Sequence, residues 1–117
     1  MISQKYRFHG HASLKYLLSH GTIARGRELS IKFVDNKRRR YSRVAIIVSK
    51  KVAKHATDRN RIRRRLYEVM RGYIPRFNRT VDVVVMVYRS DVADMPIDSL
   101  QSQIDKCLNH LGVISTK

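Results

Sequence analysis

The sequence predicts an α+β domain, one layer of sheet with helices packed on it, and three observations carry the prediction. Residues 44–49 and 81–88 are almost unbroken apolar runs rich in valine and isoleucine, as in strands covered on both faces. Residues 27–34 alternate instead, with Leu29, Ile31 and Phe33 on one side and Ser30, Lys32 and Val34 on the other, the pattern of a half-buried strand. Three further stretches repeat apolar residues at helical spacing. At 117 residues, 1–117 reads as a single domain with one modest core.

Taken in order, residues 1–11 read as a basic arm that orders on contact, with Lys5, Arg7, His9 and His11 among Tyr6 and Phe8. Residues 12–19 form a short helix whose stripe is Leu14, Leu17 and Leu18, stopped by Gly21. After the alternating strand, Asp35 and Asn36 begin a turn, and 37–40 is expected to be a solvated hairpin loop. The run 44–49 is expected to be a central strand, linked through Lys50, Lys51 and 52–57 to the next helix. Residues 81–88 are a second buried strand, interrupted by Asp82. A loop spans 90–96, with Pro96 where helices begin. The last helix, 97–111, carries Leu100, Ile104, Cys107, Leu108 and Leu111 on one face and ends at Gly112.

Most of the chemistry sits in 58–72, DRNRIRRRLYEVMRG, where six of fifteen residues are arginine. Ile62, Leu66, Val69, Met70 and Tyr73 recur on one helical face. At about 100° per residue, Asn60, Arg64, Tyr67 and Arg71 fall on the opposite face, flanked by Arg61 and Arg63. Asp58 is the expected N-cap, and Gly72 followed by Pro75 the expected stop. A basic helical face is commonly just solvated. Here Glu68 is the only carboxylate in the interior of the run, so the arginines do not neutralise themselves. Guanidinium forks suit bidentate contact with phosphate oxygens or base edges.

Composition points the same way. Lys and Arg number 25 against 9 Asp and Glu, a formal net charge of +16, which makes most sense beside a polyanion. The lone Cys107 excludes a disulfide framework and reads as a small buried apolar residue. No apolar leader and no membrane-length run is present, so a reducing, cytoplasmic setting is expected. The nine carboxylates are dispersed rather than clustered as two-metal nucleases require. His9-Gly-His11 lacks a third ligand nearby, and neither a Ser/His/Asp set nor a Gly-rich phosphate loop is present. Any enzymatic activity must therefore be borrowed from a partner. An RNA-binding subunit, a structural ribosomal or DNA-binding protein, and a membrane-surface helix all carry such a charge; the last lacks the large aromatic apolar face it needs.

A strand, then Ser49-Lys50-Lys51, a connector, and Arg59-Asn60-Arg61-Ile62-Arg63-Arg64 closely resemble the RNR signature region of the bacterial ribonuclease P protein family. His20-Gly21 at the end of the first helix and Val81-Asp82-Val83-Val84-Val85 extend the resemblance, which runs from about residue 6 to 111. It implies an αβββαβα fold with a short extra strand within 22–29 and a left-handed β-α-β crossover, against the general preference. It implies no catalytic residue in the protein: a catalytic RNA hydrolyses the 5′ leader from precursor tRNA with Mg²⁺, held mainly by that RNA. Arg59, Asn60, Arg61, Arg63, Arg64, Lys50 and Lys51 match positions that contact the ribozyme RNA. Leu14, Leu18 and Lys32 stand at leader-cleft positions that are often aromatic, and Tyr67 and Phe8 are grouped with them. Base stacking is expected in such a groove, so Phe8, Tyr16 or Phe33 are the aromatics available to compensate. The implied partners are the catalytic RNA and the precursor tRNA leader, with no membrane and no obligate protein partner.

Overall fold

The computed structural model describes residues 7 and 11–114. Among them the elements run α1 (His11–His20), β1 (Thr22–Arg25), β2 (Leu29–Asp35), β3 (Arg43–Val48), α2 (Ala56–Tyr73), β4 (Val81–Val87) and α3 (Ile97–Leu111). Short 3₁₀ turns follow α2 at Ile74–Arg76 and β4 at Ser90–Ala93, the second inside what reads as plain loop. This is the αβββαβα order, and β1 is the short extra strand.

The sheet order is β1-β2-β4-β3. β2 pairs antiparallel with both β1 and β4, while β3 lies parallel to β4. Two expectations are corrected by that order. The run 44–49 does not supply the centre of the sheet: β3 is the last of its four strands, and β4 is interior. Nor is 37–40 a hairpin loop, because β4 inserts between β2 and β3. An apolar run reports that both faces of a strand are covered, not that both edges are hydrogen-bonded.

Coverage comes from helices on opposite faces. Val44, Ile46 and Val48 of β3, with Val81, Val83, Val85 and Val87 of β4, join the main core beneath α2 and α3. The intervening Ala45 and Val84 meet fully buried Leu17 of α1, with Leu14, Val34, Ile47 and Met86 around them. Period-two alternation across a pleated strand thus splits one apolar run between two layers. Burying a leucine such as Leu17 is worth roughly 1.5–3 kcal/mol, which seats α1 on its side of the sheet. At Gly21 a Cβ would lie 2.6 Å from the Leu17 carbonyl oxygen and 2.9 Å from that of Phe33, so α1 can turn into β1 this closely only without a side chain.

Asp82, the exception within β4, is paired in register with Arg43 of β3. Its carboxylate accepts from Arg43 Nε at 3.0 Å and Nη2 at 2.8 Å, and from Asn36 Nδ2 at 2.8 Å, with both charged side chains buried. A buried carboxylate is tolerable because it is paired and hydrogen-bonded. α3 ends on Gly112, whose φ of 72° is the left-handed conformation glycine adopts readily.

Candidate nucleic-acid interface

α2 presents the basic face. It starts three residues earlier than an Asp58 cap implies, so His55 occupies the N-cap and Asp58 does not cap. Instead Asp58 sits in the first turn, where its charge still suits the positive end of the helix dipole. Gly72 does not stop the helix, which runs through Tyr73 and tightens into the 3₁₀ turn containing Pro75. Ile62, Leu66, Val69, Met70 and Tyr73 are all buried, as their spacing requires. Tyr67 is buried with them at 7 % exposure, not outward. Helical angle alone puts it opposite Ile62, yet its ring folds into the core, with the Arg7 guanidinium 4.7 Å from the ring centroid.

The arginines divide into three groups. Arg59 donates from Nη1 to the Ala53 and Lys54 carbonyls, both at 3.0 Å, and so ties the connector after β3 onto the helix start. Arg65, which the sequence pattern did not single out, donates to the carbonyls of Val92, Ala93 and Met95 and clamps the 3₁₀ turn that precedes α3. These two build the fold. Arg61 and Arg71 form exposed ion pairs, with Asp94 and Glu68, each at 2.7 Å. Arg71 holds the Glu68 carboxyl below its ordinary range by hydrogen bonding and by charge. Exposed pairs of this kind are worth little.

The third group faces solvent. Arg64 is exposed and has no side-chain partner among the described residues. Arg63 donates from Nη1 to Asn60 Oδ1 at 2.6 Å, which occupies the amide oxygen and leaves its NH₂ as donors. Lys50 and Lys51 are exposed in the turn that leaves β3. α2 thus joins its own arginines and the lysine turn into one basic surface, anchored through Arg59.

On the other face of the sheet, the structure brings Leu14, Leu18 and Lys32 together at α1 and β2. Leu14 is half-buried, Leu18 exposed, and Lys32 Nζ donates to the Leu18 carbonyl at 2.7 Å, a cation at a helix C-terminus. Tyr67 belongs to the opposite layer and is not part of that group. Phe8 and His9 lie outside the described residues. Phe33 is core, which leaves Tyr16 as an exposed ring on α1. Among the described residues, no three His, Cys, Asp or Glu side chains converge to hold a metal ion, and no helix is long and apolar enough to cross a membrane.

A family model for ribonuclease P matches residues 2–112. The chain belongs to the ribonuclease P protein family. The ribonuclease P protein component of Pseudanabaena sp. is 31 % identical over 96 residues, covering 82 % of this chain and 81 % of that one. Among solved structures, the ribonuclease P protein of Staphylococcus aureus superposes with a TM-score of 0.80 at 24 % identity, over 94 % of this chain and 98 % of that one. The Thermotoga maritima protein gives 0.75 at 21 % identity, over the same shares. At such identities the two structures speak for the fold alone. Family membership makes this a ribonuclease P protein component, with a part in tRNA processing within an endoribonuclease complex. It also sets aside the ribosomal and DNA-binding readings of the charge.

Proposed function

We propose that the protein binds the catalytic RNA of ribonuclease P through the outer face of α2 and the Lys50–Lys51 turn, and guides the 5′ leader of precursor tRNA along α1. In this reading Arg61, Arg63 and Arg64 neutralise ribozyme phosphates, Asn60 makes a directed hydrogen bond, and Arg59 holds the lysine turn beside them. Leu14, Leu18 and Lys32 border the leader path. The RNA subunit performs the hydrolysis and holds the Mg²⁺, and the complex works in the cytoplasm without an obligate protein partner.

The observation that carries this reading is the state of Arg64. It is an exposed guanidinium with no partner among the described residues, on a helix seated by six buried side chains. The seated helix fixes where the cation is attached, and its planar fork can meet two phosphate oxygens at once. The test is reconstitution with a ribonuclease P RNA at a Mg²⁺ concentration where the RNA alone cleaves poorly. Added protein should restore cleavage of a precursor tRNA at the mature 5′ end. Absence of stimulation, with protein shown folded by circular dichroism, overturns the reading.

A further inference from the structure

A second basic surface lies away from α2, where the 36–41 connection folds against the start of α1. It borders an open groove of about 1160 Å³, larger than the roughly 300–1,000 Å³ of small-molecule pockets. Its two carboxylates are already committed. Asp35 is bonded to Arg79 at 2.6 Å, and Asp82 is saturated by Arg43 and Asn36. Lys37, Arg38, Arg39 and Arg40 are all exposed, with no side-chain partner among the described residues. Four adjacent cations with no neutralising acid make the groove an attractor for phosphate.

Two aromatic rings distinguish this groove from an ordinary solvated loop. Tyr16 from α1 is 54 % exposed and Tyr41 from the connection 43 % exposed. Tyr16 is held in place from behind: the His20 ring stacks on it at 4.3 Å between centroids and 19° between planes, and His20 Nδ1–H donates to the Tyr16 carbonyl at 3.1 Å. One face of the tyrosine is thereby backed and its orientation set before any ligand arrives. Exposed rings beside a run of cations are the two parts of a single-strand groove, with bases on the rings and phosphates on the cations. A duplex, whose bases are already stacked, would leave the rings unused.

We infer that Tyr16 and Tyr41 are the base-stacking residues of this protein and that the 37–40 cations hold the backbone of the single-stranded precursor leader between them. The inference rests on the reading proposed above and deepens it. Val34 lines the groove and also packs with Leu14 beneath α1, so the groove continues the Leu14–Lys32 surface rather than standing apart from it. It assigns the stacking role that Leu14, Leu18 and Lys32 cannot fill to Tyr16 on the same helix and Tyr41 on the connection that folds against it.

The test uses holoenzyme reconstituted with a ribonuclease P RNA and two precursors, one with a long leader and one with a single-nucleotide leader. The readout is the ratio of their affinities. Tyr16→Ala and Tyr41→Ala should each lower that ratio by roughly tenfold, the worth of one stacked base. Tyr16→Phe and Tyr41→Phe, which keep the ring, should retain it. Thermal unfolding of each variant checks that it is folded. An unchanged ratio overturns the inference, whether neither precursor is affected or both weaken equally because the rings touch the ribozyme or the tRNA body. Wild-type protein that fails to stimulate cleavage of either precursor sinks the broader reading, a result separate from the first two.

Discussion

Arg64→Ala and Arg65→Ala, one residue apart on α2, should fail in opposite ways. Arg64 is exposed with no partner among the described residues, so its loss removes one cation from the RNA surface and leaves the fold alone. Each phosphate neutralised contributes about 0.7–0.9 to the slope of log K against log salt, so that slope should fall by this amount. Between roughly 50 and 200 mM salt, the variant should lose about threefold less affinity than wild type. Its unfolding midpoint should not move. Arg65 instead holds three backbone carbonyls between Val92 and Met95, and hydrogen bonds to a charged donor are worth about 1.5–3 kcal/mol. Its loss should cost roughly 2 kcal/mol and lower the melting temperature by about 5–10 °C while leaving the salt slope intact. Filter binding of ribonuclease P RNA across a salt series, with thermal melts of the same samples, separates the two. Reasoning from side-chain partners is refuted if Arg65→Ala flattens the slope, or if Arg64→Ala destabilises the fold and leaves the slope unchanged.

Three other outcomes follow from single contacts. Asp82→Ala strips the buried Arg43 guanidinium of its carboxylate and should cost about 3–5 kcal/mol in urea unfolding, with Arg43→Met/Asp82→Leu together recovering part of the loss. Gly21→Ala drives a methyl into the Leu17 and Phe33 carbonyls, so a loss of about 1–3 kcal/mol is expected; a neutral result would show that α1 can shift freely on the sheet. Burial raises the Tyr73 phenol above its ordinary range, and its hydroxyl donates to the Gln101 carbonyl. Above about pH 10 the unfolded chain ionises this group before the folded one does, so stability should fall as pH rises from there, and Tyr73→Phe should flatten that fall in pH-dependent melts.

Local pattern determined a good deal by itself. The buried stripe of α2, the apolar face of α3 and the stop at Gly112 depend on a 3.6-residue period and a left-handed cap, which neighbours in sequence encode. Net charge by itself points to a polyanion. Tertiary structure decided which strand lies beside which, because an apolar run looks the same at an edge as in the middle once helices cover both faces. It also decided what each polar side chain does. Asp82 finds Arg43 from 39 residues away, Arg65 reaches carbonyls in a distant turn, and Tyr67 rolls inward against Arg7. Helical phase gives a direction, whereas partners depend on which segments the sheet brings near, and that is a property of the packed chain.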